Sequence, residues 1–166
     1  MSGILKEIRQ RHPFATKEEE VMVSLLRTVA VLSQPVEDFL KEHELTPRQY
    51  NVLRILRGAG EAGWSCKEIG ERLLQREPDI TRLLGRLEKR GLISRKLDPE
   101  DRRSVLTRIT KRGLAQLESL QPELSRMAQY QFRTLEEDEL EKLLATLDRI
   151  RDATAQGMSE TNNGGD

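Results

Sequence analysis

A short charged stretch followed by alternating residues is the feature that most constrains how this chain can fold. The stretch reads DPEDRRSVLTRIT, from Asp98 to Thr110, in a chain whose apolar residues elsewhere recur mostly at helical spacing. Its first six residues include three acids, two arginines and a proline, a composition that is typical of a turn. From Val105 onward, β-branched residues alternate with other residues, and this period-two alternation predicts a strand. Because residues 92–97 also look extended, we expect a hairpin, which is too short to be stable without packing on helices.

Three helices are predicted between residues 46 and 91. Thr46, followed by a proline, is a cap for the first, and Ser65 begins an S-x-x-E capping box for the second. Pro78 and Asp79 suit the first turn of the third, whose leucines form one stripe while its basic residues lie off that stripe. Gly91 is predicted to end this helix in a left-handed conformation. This order of elements predicts a winged helix-turn-helix, in which the basic helix enters the major groove of DNA.

Longer segments with apolar residues at helical spacing flank this region, at residues 16–42 and 111–154. Pro35 predicts a kink or a local break in the first segment, and Pro122 predicts a kink in the second. The polar tail, residues 155–166, is predicted to be disordered. The chain is only 36% hydrophobic and 4% aromatic, which fits long amphipathic helices or helices buried in a partner.

The net charge of zero conceals an uneven distribution along the chain. Residues 65–112 hold 14 lysines and arginines against 8 acids, a net charge of +6. Residues 113–166 hold 5 against 11, a net charge of −6. A basic middle region indicates a polyanionic partner such as double-stranded DNA, although charge alone fits an accident of helix faces equally well.

Several classes of function are disfavoured by what the sequence lacks. The single cysteine, Cys66, and the two histidines are far apart, so neither an intramolecular disulfide nor a His/Cys metal site is expected. Cys66 itself is interpreted as a small, partly buried residue. No serine-hydrolase, P-loop or dinucleotide-binding motif is present, so we expect no cofactor and no enzyme. With no signal peptide and no apolar run of about 18 residues, we expect a soluble cytoplasmic protein without a membrane partner.

Two segments resemble the MarR family of bacterial transcription regulators. DITRLLGRLEKRGLISRKLDPEDRRSVLTRITKRG, residues 79–113, resembles that family's recognition helix and wing, and LTPRQYNVLRIL, residues 45–56, resembles its second helix. The most specific part is the Asp-x-Arg that ends the turn, at residues 101–103. The order of helices on both sides matches as well, so the resemblance covers roughly residues 17–154.

The resemblance implies a mainly α fold with a small β-wing, built as one domain over residues 1–154. Within it, the winged helix-turn-helix would span about residues 46–110, and the helices at about 16–42 and 111–154 would form a dimerisation region. It further implies a homodimer that acts as a DNA-binding repressor on a pseudo-palindromic operator and is relieved by a small aromatic or phenolic ligand. The two half-sites would lie roughly 34–36 Å apart, one turn of the DNA helix.

Candidate DNA contacts lie on the recognition helix and the wing. By resemblance, Arg103 enters the minor groove, whose negative potential attracts arginine, and Asp101 holds that arginine in place. Asp98 is assigned the same bracing role. Arg102 either contacts a phosphate or pairs with Asp98 or Glu100, an acid that weakens the positive field of the wing. The complete set of candidate DNA-binding residues is Arg76, Asp79, Thr81, Arg82, Arg86, Arg102 and Arg103.

A ligand cleft and a rival function are also consistent with the sequence. The candidates for lining a cleft that binds an aromatic acid are Arg27, His43, Tyr50 and Arg54. The alternative is that these four are ordinary residues of helix surfaces and loops. A winged helix can also serve as a protein-docking surface without binding DNA, and Glu100 together with the zero net charge keeps that alternative open. Gly85, within the recognition helix, has no role that the sequence explains.

Overall fold

Helices dominate the structure, a computed structural model that describes residues 3–75, 77–98 and 104–163. Three short strands lie in the middle of these ranges, so the prediction of a mainly α fold with a small β-wing is confirmed. The elements in chain order are α1 (Gly3–Glu7), α2 (Lys17–Glu42), α3 (Pro47–Ala59), β1 (Trp64–Ser65), α4 (Cys66–Arg72), α5 (Ile80–Lys89), β2 (Ile93–Leu97), β3 (Val105–Ile109), α6 (Lys111–Gln131) and α7 (Glu137–Asn163).

The chain forms two compact units, residues 1–125 and residues 126–166. The first contains α1 to α5, the strands and most of α6. The second contains the end of α6 together with α7, a helix of 27 residues. Each unit is therefore built around at least one long helix.

The hydrophobic core of the first unit lies between the three helices of the helix-turn-helix, the hairpin and parts of α2 and α6. Its largest fully buried apolar side chains are Leu40, Val52, Leu53, Leu56, Ile69, Leu84, Leu87, Leu92, Leu117 and Leu120. Burying one such side chain stabilises a fold by roughly 1.5–3 kcal/mol. Because α5 contributes to this core through one stripe, the core also fixes which face of α5 points outward.

The predicted hairpin is present, formed by β2 and β3. β2 and β3 are antiparallel, with Ile93 opposite Ile109 and Leu97 opposite Val105. At the open end, the Asp98 backbone N–H donates to the Ser104 carbonyl at 2.9 Å. A third strand, β1, was not predicted. It pairs with the outer side of β3, which gives the strand order β1-β3-β2.

The predicted helix caps are confirmed. Thr46 and Ser65 each form a capping box, in which the N-cap side chain and the side chain three residues later bond reciprocally to backbone N–H groups. The Ser65 backbone N–H and hydroxyl both donate to the Glu68 carboxylate at 2.8 Å, and these bonds lower the pKa of Glu68. Gly91, just beyond α5, has a φ of 70°, the left-handed conformation expected at a helix C-terminus.

Four features differ from the sequence predictions or add to them. The short helix α1 buries Ile4 and Leu5, although helical periodicity gave no sign of it. α2 continues through Pro35, so the local break considered there is absent, and α6 likewise continues through Pro122. A proline removes one backbone donor, and these helices of 26 and 21 residues continue on both sides of it. α7 extends to Asn163, so its backbone is helical within the tail for which disorder was predicted.

Candidate nucleic-acid interface

α5 is held with one face on the core and the opposite face in solvent. It begins after Asp79, whose carboxylate accepts a hydrogen bond from the Arg82 backbone N–H at 2.9 Å. Pro78 and Asp79 were predicted inside the first turn, but Asp79 is the N-cap and Pro78 precedes it, because this carboxylate satisfies a free N–H of that turn. Leu83, Leu84 and Leu87 are buried on the inner face.

The outer face of α5 is basic. Arg82, Arg86 and Lys89 are exposed and occur at positions i, i+4 and i+7, a spacing that places them on one face of a helix. Thr81 is exposed beside them, in the first turn. No side chain in the part of the chain that the structure describes forms an ion pair with any of these three cations. Their charges are therefore available to an external anion.

Two neighbouring arginines are committed to the fold. Arg90 lies 3.5 Å from the Glu44 carboxylate and also donates to the Glu44 carbonyl, which ties the end of α5 to the turn between α2 and α3. Arg95, in β2, lies 3.7 Å from the Glu88 carboxylate. Arg90 and Arg95 are therefore held by contacts within the fold, whereas Arg82, Arg86 and Lys89 on α5 are exposed.

The structure covers the predicted site residues unequally. It describes Asp79, Thr81, Arg82, Arg86 and Asp98, and the hydrogen bond from Asp98 to Ser104 holds the two hairpin strands together near the tip. Four predicted site residues lie outside the described ranges: Arg76, Asp101, Arg102 and Arg103. Glu100 lies outside them as well. The DNA contacts assigned to all of these residues stay predictions.

Gly85 interrupts the basic face of α5. It lies between Arg82 and Arg86 in sequence, and a depression is lined by these residues and Lys89. A glycine inside a helix costs about 1 kcal/mol relative to alanine. A Cβ atom added at position 85 would meet nothing within 4 Å, so packing does not require the glycine.

A cavity of about 780 Å³, whose lining shares Arg82 and Arg86 with that depression, lies in the first unit beside α5. Residues of α2, the start of α3 and the segment joining α4 to α5 converge on it. The lining residues that bear on ligand binding are Val29, Val36, Arg48, Glu77, Arg82 and Arg86. Arg48 and Glu77 form an ion pair at 3.2 Å across this wall. Sequence reasoning missed this cavity because no local pattern marks residues that meet only in the folded chain.

The four residues predicted to line a ligand cleft do not line this cavity. Arg27 pairs with Glu7 at 2.6 Å. His43 ends α2, where its Nδ1 lies 2.9 Å from the Phe39 carbonyl. Tyr50 is half-buried against the core, and Arg54 is exposed on α3. The cavity is thus a second candidate location for a ligand.

Metal-ligand clusters and membrane-spanning helices are absent from the part of the chain that the structure describes. It contains no group of three His, Cys, Asp or Glu side chains placed to hold a metal ion. None of its helices is both long enough and apolar enough to cross a membrane. Cys66 is a free, half-buried thiol at the start of α4.

Comparison with known proteins agrees with this geometry. A family model described as "MarR family" matches residues 43–104. The HTH-type transcriptional repressor IacR of Pseudomonas putida is 30% identical over 81% of this chain and 79% of its own.

Two solved structures resemble the protein over most of its length. The S. aureus MepR–DNA complex has a TM-score of 0.70 and 25% identity, covering 85% of this chain and 99% of that one. The PcaV transcriptional regulator from Streptomyces coelicolor, solved in complex with its natural ligand, has a TM-score of 0.68 and 29% identity, covering 86% and 97%. With its winged helix-turn-helix and its outward basic helix, this chain belongs to the MarR family of DNA-binding transcription regulators.

Proposed function

We propose that the protein binds a pseudo-palindromic operator in the cytoplasm as a homodimer and represses transcription from it. The observation that carries this proposal is the outer face of α5, where three cations lack an ion-pair partner among the described residues. Such a face fits the major groove, in which cations contact phosphates and base edges. The relative IacR, named a repressor, supports the direction of regulation.

Homodimer formation is supported by apolar surface that each unit leaves exposed. Along α7, none of the described residues is buried, although leucines and an isoleucine recur at helical spacing. Leu144 is 62% exposed there, and on α2 Leu26 is 64% exposed. An amphipathic helix needs a partner for its apolar face, and a second copy of the chain supplies the same faces in return.

We assign roles within the interface by charge and position. Arg82 and Thr81, near the start of α5, read base edges, whereas Arg86 contacts phosphate. In the wing, Arg103 enters the minor groove and Arg102 contacts phosphate, with Asp98 and Asp101 bracing the turn. Arg76 and Asp79 flank the recognition helix, and Asp79 acts chiefly as its cap.

The DNA proposal predicts a steep dependence of binding on salt. Contacts between cations and phosphates release counterions, so log K should fall linearly with log salt concentration. For about six to ten phosphate contacts per dimer, the slope should lie between about −5 and −9. The measurement is a fluorescence-anisotropy titration of genomic DNA fragments at several salt concentrations. A flat dependence would exclude the DNA interface and favour a protein-docking role for the winged helix.

The same titration locates the contacts through alanine variants. Arg82→Ala and Arg103→Ala should each weaken binding to an operator fragment by about 1–3 kcal/mol. Arg57→Ala, which removes an exposed arginine at the end of α3, is the matched control and should change affinity little. Equal affinity of all three variants would remove the two tested arginines from the interface.

We further propose that a small aromatic or phenolic acid binds in the cavity beside α5 and relieves repression. The cavity volume of about 780 Å³ lies within the range of ligand pockets. Arg82 and Arg86 line it, so a carboxylate bound there competes with DNA for the same cations. The ligand-bound structure of the relative PcaV supports ligand control.

Hydroxybenzoates provide the test of this ligand proposal. Added to the DNA complex, at least one isomer should lower the affinity for DNA about tenfold or more, which corresponds to about 1.4 kcal/mol. Ser33 lies on α2 in the lining of the cavity, and Ser33→Phe, which fills space inside it, should abolish that response. Val31→Phe, on the same helix but outside the cavity lining, should keep it. A DNA complex that no isomer weakens contradicts the proposal.

A further inference from the structure

Gly85 lies at the centre of the basic face of α5. Arg82 and Lys89 lie three residues before and four residues after it, so both project from the same side of the helix. Arg86 follows it directly, and the four residues line one depression. The helix backbone therefore carries no side chain at the middle of the surface that contacts DNA in the proposed function.

The fold does not require glycine at this position. At Gly113, an added Cβ would lie 2.1 Å from the Leu92 carbonyl oxygen, and at Gly63 it would lie 2.7 Å from the Thr107 carbonyl oxygen. At Gly85 the same construction finds open space, and the residue is in a right-handed helix rather than in the left-handed region. Neither packing nor backbone conformation explains why a helix-weakening residue stands there.

Close approach of the backbone to another molecule is one physical reason for a glycine at such a position, and the position of Gly85 within the basic face favours it. A helix with its side chains is about 10–12 Å across, and the major groove is about 12 Å wide. Side chains on the inserted face therefore limit how near the backbone comes to the base edges. A position without a side chain lets the backbone come closer to the base edges. The flanking arginine side chains then reach further into the groove.

We propose that Gly85 is a specificity-determining residue of the DNA interface, which receives the edge of a base pair in the depression between Arg82, Arg86 and Lys89. The inference rests on the proposed DNA-binding function and extends it to a position without a side chain. Phosphate contacts such as the one assigned to Arg86 do not depend on the depression, so the affinity for unrelated DNA should not change when the depression is filled.

The test uses a duplex of about 30 base pairs enriched by the wild-type protein from a random-sequence pool, and an unrelated duplex of equal length. Gly85→Met should weaken binding to the enriched duplex about 5- to 150-fold, the range for losing one base-edge contact, and Gly85→Ala should weaken it less. Both should bind the unrelated duplex as wild type does and melt at a higher temperature. Gly58→Ala and Gly58→Met are matched controls, because Gly58 is an exposed helical glycine with open space around its Cβ position.

The outcomes separate this inference from the proposed function. If the wild-type protein enriches no sequence from the pool and does not bind the unrelated duplex, the DNA function fails and the inference fails with it. If wild type enriches a sequence and Gly85→Met binds it as tightly as Gly58→Met does, only the inference about Gly85 is overturned. Equal losses for both duplexes also overturn it, because the substitution then acts on general affinity rather than on specificity.

Discussion

Leu144→Asp is expected to convert the protein from a dimer to a monomer at micromolar concentration. Leu144 is 62% exposed on α7, so the aspartate costs little in the isolated chain. In a dimer that covers this face, the same aspartate loses the burial of a leucine, about 1.5–3 kcal/mol, and leaves a carboxylate without a partner. Multi-angle light scattering at several protein concentrations measures the result.

Symmetry makes this effect large. In a two-fold dimer each substitution occurs twice in one interface, so the loss should reach about 6 kcal/mol or more. A loss of that size raises the dissociation constant by more than about 10⁴-fold. Operator affinity should fall as well, because a monomer engages one half-site at a time.

Thr146→Asp is the matched control for the dimer prediction. Thr146 lies two residues further along α7, on a different face, and its side-chain hydroxyl donates to the Lys142 carbonyl. The control introduces the same charge in the same helix, so it should remain dimeric. A monomeric wild-type protein, or a Leu144→Asp variant that stays dimeric, contradicts the proposal that the α7 face is covered by a second copy.

Local signals account for most of the fold that could be predicted from sequence. The caps at Thr46 and Ser65 and the left-handed glycine at Gly91 depend on interactions within a few residues, and each is confirmed. β3 was predictable because β-branched residues alternate within its own five residues. By contrast, β1 has only two residues and exists because β3 pairs with it, so its cause lies about 40 residues away in the chain.

The candidate site was predictable in its charge but not in its shape. The spacing of Arg82, Arg86 and Lys89 already placed three cations off the apolar stripe of α5. Which arginines of the region are bound internally depends on tertiary contacts, as the pairing of Arg90 with Glu44 shows. The residues that line the cavity beside α5 were the least predictable, because a cavity is defined by segments that approach one another only after folding.

Gly113→Ala is expected to destabilise the first unit by about 3 kcal/mol or more, the upper end for overpacking, because its added methyl group meets backbone. The Cβ would lie 2.1 Å from the Leu92 carbonyl oxygen and 3.0 Å from a side-chain carbon of Ile109. The same carbonyl accepts the Thr110 backbone N–H at 3.1 Å, and the Thr110 hydroxyl accepts the Gly113 N–H at 3.0 Å. Relieving the clash requires the first turn of α6 to move and break this cap.

The loss would be a large fraction of the roughly 5–15 kcal/mol that stabilises a typical domain. Because α6 also places Leu117 and Leu120 in the core, displacement of its first turn disturbs packing as well as capping. Urea denaturation measures the change, at one fixed protein concentration, since dimerisation makes stability concentration-dependent. Gly58→Ala provides the comparison and should be neutral or stabilising by up to about 1 kcal/mol, since its Cβ meets open space. Equal midpoints for the two variants would mean that α6 accommodates a methyl group against the Leu92 backbone, contrary to the close contact on which the prediction depends.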